Sequence, residues 1–483
     1  MLLIILGIST VGCLSPEEKN GSRPNFVFIL ADDMGWSDLP VYGNKFNEAP
    51  NITKLADEGM RFDNAYAACP VCSPTRASIQ SGQYPARVGV IDFIRGHWRP
   101  FEEVIVPKNK TQYLPLENIT VAEKLKEAGY TTGYFGKWHL GWGEYIPVNQ
   151  GYDEQVVYNG GGYFDYGSKM EPPQDFPEEK VLSEALTDLS IAFIERNKEN
   201  PFLLFLAHYD VHVQLDAQPE LINKYLKKEK AAGYPSNAIY AAMVENVDHS
   251  VGRIEAKLAE LGLTNKTMVV FFSDNGGLVS RFDKIPLLAS SKLPIYEGDS
   301  LQYVASSNAP LRAEKGTVYE GGIREPLIIK YPGKIQSGVL NRSLVTSVDF
   351  YPTLIELAGA TPDSDQKLDG KSLVKTLTTP SEIKERSIFW HYPVYHHDVP
   401  KSVIRKGDFK LIENLVDGSL ELYDLENDIS EATNLIESMP EKASELYDSL
   451  KVWQEEVNAT FPSPNPDFDP ARRQEWGRHP DMR

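Results

Sequence analysis

From Pro24 onward, short and wholly apolar runs alternate with longer amphipathic segments. That alternation is the pattern of parallel strands joined by crossover helices. Asn25 to Ala31 (NFVFILA), Tyr130 to Phe135, Phe202 to Ala207, Met268 to Ser273 and Pro326 to Lys330 read as buried strands. Between them lie helical patterns at Thr120 to Ala128, Ser183 to Asn197 and Ile239 to Leu261. The first has Thr120 and Glu123 at capping-box spacing and stops at Gly129, and the last stops at Gly262. The expected fold is α/β, a large, mixed and mostly parallel sheet flanked by helices on both faces.

The pattern changes at the polar stretch Leu377 to Arg386. Beyond it, Ser387 to Trp390, Ser402 to Arg405, Phe409 to Glu413 and Leu420 to Leu425 read as antiparallel strands, and Pro440 to Val457 as a helix covering them. The expected organisation is therefore a leader and tether over 1–23, a main domain over 24–380, and a small α+β subdomain over 381–483. Its Pro-rich end, Phe461 to Arg483, is expected to wrap the surface or fray.

Charge narrows the partners. The 483 residues carry 49 basic against 68 acidic side chains, a net charge of −19, which repels nucleic acid and anionic surfaces. Three cysteines exclude a disulfide framework. One of them, Cys13, closes an apolar start, Met1 to Cys13, that is too short to span a bilayer and reads as an export signal. Small residues before Cys13 suit a lipoprotein peptidase, so the expected location is exported, either periplasmic or lipid-anchored through Cys13 at a bacterial envelope. Ser15 to Pro24 would then be a tether.

In open α/β sheets the ligand crevice lies at the carboxyl ends of the strands. Two buried runs end in polar clusters, Asp32-Asp33 and Ser273-Asp274-Asn275-Gly276-Gly277. Asp32, Asp33, Asp274 and Asn275 offer only hard oxygen donors, which favours Ca²⁺ or Mg²⁺ over zinc. The competing reading is plain turn chemistry. A further cluster, Ala68-Cys69-Pro70-Val71-Cys72-Ser73-Pro74-Thr75-Arg76, places Cys72 beside a helix that Ser73 would cap with Pro74 in its first turn. Its Cys-x-x-Cys pair could be half a zinc site or a dithiol. No second pair follows for a zinc ribbon, and an exported dithiol would close as a disulfide.

Cys72-Ser73-Pro74-Thr75-Arg76 resembles the C-x-P-x-R signature of the type I sulfatases of the alkaline phosphatase superfamily, in which the cysteine is oxidised to formylglycine. Similar segments follow in family order: Gly129 to Thr132, Gly136 to Gly141, Ser273 to Gly277, Asn308 to Gly316 and Tyr319 to Pro326. The likeness spans roughly Asn25 to Leu425. It implies an alkaline-phosphatase-like fold, sulfate ester hydrolysis, and a maturing partner, either a formylglycine-generating or an anaerobic sulfatase-maturating enzyme.

Carried over residue by residue, the resemblance gives Asp32, Asp33, Asp274 and Asn275 as Ca²⁺ ligands and Cys72 as the matured nucleophile. Arg76 would steady the aldehyde hydrate, Lys137 and Lys315 would clamp sulfate, and His139 would take the proton when sulfate leaves. His212 is the best match for the general acid. The segment His208-Tyr209-Asp210-Val211-His212-Val213 departs from the family pattern by an extra His, which makes His208 a rival. Substrate contacts are expected from variable loops: His97, Trp98, Arg99, Trp142, Arg281 within Leu278 to Ser307, and the stretch His391 to His397. The implied substrate is a sulfated mono- or oligosaccharide from a polysaccharide, with short fragments favoured by the negative field of the chain. The alternatives are a phosphomonoester or phosphonate hydrolase of the same superfamily and a non-catalytic surface glycan-binding lipoprotein.

Overall fold

Eight strands run across the main sheet in the order Val339–Asn341, Met60–Phe62, Leu327–Lys330, Thr267–Ser273, Asn25–Ala31, Phe202–Ala207, Thr131–Gly136 and Glu154–Val157. The computed structural model describes residues 23–477 apart from 97, 282–284, 380 and 384. The leader, Cys13 and His97 lie outside the described residues. Leu327–Lys330 pairs antiparallel with both of its neighbours, and every other pairing in this sheet is parallel. The sheet is thus mixed and mostly parallel, as the alternating pattern predicts.

The apolar run of the central strand explains why helices cover both faces. Val27, Ile29 and Ala31 point into one core with the helices Leu182–Asn197 and Ala238–Glu260. Phe26, Phe28 and Leu30 point into the other, against Cys72–Ser81, Val121–Glu127 and Phe350–Ala358. Period-two alternation with both faces buried requires a strand that is apolar throughout. Thr120 and Glu123 form the expected capping box. The long helix begins at Ala238, where the Asn237 side chain accepts from the amides of Ile239 and Tyr240. No helix among the described residues is long and apolar enough to cross a membrane.

Four antiparallel strands, Ser387–Tyr392, Lys401–Lys406, Phe409–Asn414 and Leu420–Asp424, form the second sheet in sequence order. Ile404, Leu411 and Leu422 on one face pack against Leu446, Leu450 and Trp453 of the helix Pro440–Glu456. Ile388, Trp390, Val403 and Ile412 on the other pack against Tyr66, Val71 and Ile323 of the main body. A fully buried ammonium, Lys410 Nζ, sits 2.9 Å from Glu320 Oε1 and 2.8 Å from Glu431 Oε1, so the second sheet meets the segment that carries Glu320 across a charge pair as well as apolar surface.

One local expectation changes, and a second is narrowed to one of its alternatives. The helix expected to open at Pro74 under a Ser73 cap begins at Cys72, and Val71 stands at its N-cap without a side-chain bond. Ser73 Oγ is engaged elsewhere, donating to the His139 carbonyl at 2.8 Å and accepting from the Ile94 amide at 3.1 Å. Tertiary partners take the hydroxyl that the local sequence offers as a cap. As far as residue 477 the C-terminal tail wraps the surface: Ser463–Pro464 pairs antiparallel with Val104–Ile105.

Candidate active site

Parallel pairing places the chemistry along one edge of the main sheet. Ala31 is in register with Ser273, so Asp32 and Asp274 emerge side by side. Gly136 is in register with Ala207, so Lys137 emerges beside the loop that carries His208 and His212. The Asp33 amide donates to Asp274 Oδ1 at 3.3 Å, and Asn275 Nδ2 donates to Asp33 Oδ1 at 2.8 Å. Asp32, Asp33, Asp274 and Asn275 therefore converge and are fully buried. The glycines behind them allow close backbone approach: a Cβ on Gly276 would lie 2.0 Å from the Gly321 carbonyl oxygen.

Three cations meet these carboxylates. Arg76, buried in the helix Cys72–Ser81, donates through Nε to Asp274 Oδ2 at 2.8 Å and through NH1 to the Lys137 carbonyl at 2.5 Å. Lys137 Nζ lies 2.5 Å from Asp32 Oδ2, and Lys315 Nζ lies 2.7 and 2.8 Å from the two oxygens of Asp33. Burial alone would raise the Asp32 carboxyl, but the ammonium of Lys137 beside it holds it well below the usual carboxylate range. Burial, and then the neighbouring Asp32 charge, pushes Asp274 up to about 8.

Both family-implied histidines face the cavity. His139 Nδ1 lies 3.2 Å from Cys72 Sγ, and Nε2 lies 2.6 Å from the Ile94 carbonyl oxygen. A carbonyl can only accept, so Nε2 carries the proton and the lone pair of Nδ1 faces Cys72. His139 holds φ +57, outside the usual range for a side-chain-bearing residue, and its amide donates to Asn159 Oδ1 at 3.0 Å. Burial and the Lys137 charge bring its pKa down to about 3. His212 Nδ1 lies 2.6 Å from the Val213 carbonyl and Nε2 3.7 Å from Asp33 Oδ2. Burial, followed by the Lys315 charge, brings His212 down to about 4. His208 is placed differently: it is fully buried, with Nε2 3.0 Å from Ser250 Oγ, and it does not line the cavity.

The cavity holds about 630 Å³ and is lined by Cys72, Lys137, His139, His212 and Lys315 among others. Of the expected specificity residues, Arg281, His396 and His397 line it. His391 does not: it is buried in the second sheet with Nδ1 2.5 Å from Ser402 Oγ and Nε2 2.7 Å from the Thr460 carbonyl. Trp142 is half-exposed beneath the Arg95 guanidinium, away from the lining. Arg99 is held behind the wall, with NH2 2.6 Å from the His396 carbonyl. Asn159, Tyr209, Phe93, Ile94 and Trp476 line the cavity without having been singled out from sequence. Cys69 and Cys72 are both free thiols rather than a disulfide.

The buried oxygens Asp32 Oδ1 and Asn275 Oδ1 have no hydrogen-bond partner among the described residues. Asp32, Asp33 and His212 each offer a ligand atom, all within 4.8 Å of one another. Orphaned hard oxygens converging at a strand edge fit a divalent cation of the Ca²⁺ or Mg²⁺ kind, because each would otherwise remain desolvated without compensation. The Cys72 thiol stands where an oxidised side chain would project, at the first turn of its helix.

The model of the Sulfatase family matches residues 24–360, and that of the N-sulphoglucosamine sulphohydrolase C-terminal region matches residues 313–458. A protein named Sulfatase from Formosa agariphila is 32% identical, covering 95% of this chain and 94% of the relative. An N-acetylgalactosamine-6-sulfatase from Rattus norvegicus is 32% identical over 81% of this chain and 71% of its own. The crystal structure of Ps i-CgsB in complex with k-i-k-neocarrahexaose superposes with a TM-score of 0.74 at 26% identity, covering 89% of this chain and 92% of that one.

Proposed function

The chain belongs to the sulfatase family and is a sulfuric ester hydrolase, and on that premise we propose that it acts on sulfated mono- and oligosaccharides through a formylglycine matured from Cys72. The observation that carries the reading is the meeting of Asp32, Asp33, Asp274, Asn275, Arg76, Lys137, Lys315, His139 and His212 around that one side chain. Named relatives act on a sulfated amino sugar, and a similar structure holds a neocarrahexaose, which supports a sugar substrate.

A sulfate monoester is a stable anion, so its hydrolysis needs a nucleophile at sulfur, neutralised oxygens and a protonated leaving alcohol. Matured to the aldehyde hydrate, position 72 supplies the nucleophilic hydroxyl and a second hydroxyl whose deprotonation releases sulfate. Ca²⁺ held by Asp32, Asp33, Asp274 and Asn275 would supply a fixed positive charge beside a sulfate oxygen. Lys137 and Lys315 reach the cavity with their ammonium groups and would bind the remaining sulfate oxygens. Arg76 cannot lose its proton and is locked by Asp274 and the Lys137 carbonyl, so it fixes the base of the helix that presents position 72. His139 Nδ1 already has its lone pair toward position 72 and would take the proton there. His212, whose Nδ1 proton faces the Val213 carbonyl, would take up a second proton at Nε2 and hand it to the departing alcohol.

In the cell, this reading requires a formylglycine-generating or anaerobic sulfatase-maturating partner. It also includes export, to the periplasm or to a lipid anchor on Cys13, as the apolar start suggests. The negative field of the chain favours short sulfated fragments over long polyanions. The test is sulfate release from defined sulfated mono- and disaccharides, run beside bis-p-nitrophenyl phosphate and a phenyl phosphonate. Faster turnover of either phosphorus ester than of any sulfate ester would overturn it.

A further inference from the structure

The cavity wall contains a residue far from every family motif. Trp476 lines the cavity that exposes Cys72 and is 39% exposed, whereas Tyr209 on the same lining is 9% exposed. It arrives on the C-terminal tail, and the two family models end at residues 360 and 458, before the tail begins.

The tail is fastened along its length to the segment 98–105. Ser463 and Pro464 pair with Ile105 and Val104, and Asn465 Nδ2 donates to the carbonyls of Pro100 at 2.9 Å and Glu102 at 2.7 Å. The Asp469 amide donates to the Phe101 carbonyl at 3.2 Å, the Arg472 guanidinium lies 3.5 Å over the Phe101 ring, and Arg473 Nε lies 3.3 Å from Glu102 Oε2. One contact then holds the indole and another the residue after it. The Arg99 guanidinium covers its ring at 4.5 Å, and the Gly477 amide donates to the Trp98 carbonyl at 3.0 Å. A side chain that merely anchored the tail would gain most by complete burial. This one is held by the Arg99 guanidinium and left partly exposed where it lines the cavity.

Resting on the sulfatase reading above, we propose that Trp476 is a substrate-binding residue, and that a sugar ring in the alcohol half of the ester stacks on its indole. A pyranose presents one face of C–H groups, which suits a flat apolar ring, while its hydroxyls and any further anionic group suit Arg281, His396 and His397 on the same lining. A ring held in advance binds without the ordering cost that a loose tail would impose. Trp98 and Arg99 thus act through Trp476, as positioning residues.

The experiment uses the full matured chain, a sulfated disaccharide that it hydrolyses, and inorganic sulfate as a competitive inhibitor. Trp476→Ala raises KM for the disaccharide by about tenfold, with kcat falling less than threefold, because a buried Trp contact is typically worth that much binding. Trp476→Phe, which keeps a flat ring, recovers most of the KM. The inhibition constant of inorganic sulfate, which has no sugar, stays within twofold in both variants. A KM within twofold of the unaltered chain in Trp476→Ala overturns the proposal. So does a parallel loss of KM, sulfate inhibition and melting temperature in both variants, which would show a structural strap. An unaltered chain that releases sulfate from no sulfated sugar overturns both this proposal and the sulfatase reading, so the two failures are told apart.

Discussion

His139 Nδ1 stands 3.2 Å from Cys72 Sγ while the opposite nitrogen of the same ring is occupied by the Ile94 carbonyl. The pairing fixes the tautomer and aims one lone pair at one atom. If that lone pair moves a proton during turnover, His139→Gln lowers kcat on a sulfated sugar by about 10²- to 10⁴-fold, the usual range for a positioned acid or base. Steady-state kinetics on the matured variant, with circular dichroism to show an intact fold, provides the check. A loss below tenfold would remove His139 from the chemistry.

Arg76 is buried with carboxylates on one side and a backbone carbonyl on the other. Arg76→Ala removes the donor that Asp274 and the Lys137 carbonyl both accept from and leaves buried acceptors unsatisfied, which costs about 1–3 kcal/mol of stability. Arg76→Lys loses the planar fork and also destabilises. Denaturant titration at neutral pH measures both variants, and a cost under 1 kcal/mol for Arg76→Ala would contradict the reading of this network.

Asn275 offers a buried oxygen with no hydrogen-bond partner among the described residues. Chelation should lower the melting temperature, and Ca²⁺ should restore it, since a cation at one hundred times its Kd adds about 2.7 kcal/mol to the folded state. Asn275→Ala shrinks that calcium-dependent rise. Calorimetry with and without Ca²⁺ checks this, and an equal rise in the variant would place the ion elsewhere.

His208 is pushed down to about 3 by burial, against an ordinary value of 6.5. A histidine whose folded value is depressed stays neutral in the fold and charges more readily once unfolded. Its contribution to stability is therefore complete above pH 6.5 and declines as pH falls toward 3, by about 1.4 kcal/mol per pH unit. Replacing it with glutamine keeps a donor toward Ser250 and removes that slope. Denaturation curves at pH 7, 6 and 5 should show the difference between variant and parent shifting in the variant's favour with each step. A constant difference would contradict it.

The central strands could be read from sequence because burial on both faces forces continuous apolar runs such as Asn25–Ala31. Met60–Phe62, Glu154–Val157 and Val339–Asn341 escaped notice: they are short, and the last two lie at the sheet edges, where one side needs no apolar signature. The polar residues at strand ends were legible for the same reason, since parallel strands deliver their carboxyl ends to one crevice. Ser73 misled because its hydroxyl serves His139 and Ile94, partners that no local window contains. Asn159 and Trp476 reach the site from a glycine-rich loop and from the chain end, where neither periodicity nor motif marks them.

Turnover by this site requires the side chain at position 72 to be oxidised and used. The direct measurement is peptide mass spectrometry on residues 62–76 of protein purified from its native host, paired with sulfate release from a sulfated disaccharide by the same preparation. An aldehyde in place of the Cys72 thiol, in proportion to activity and absent along with activity in Cys72→Ala, is the predicted result. Full sulfate release from protein whose Cys72 remains entirely a thiol would contradict it.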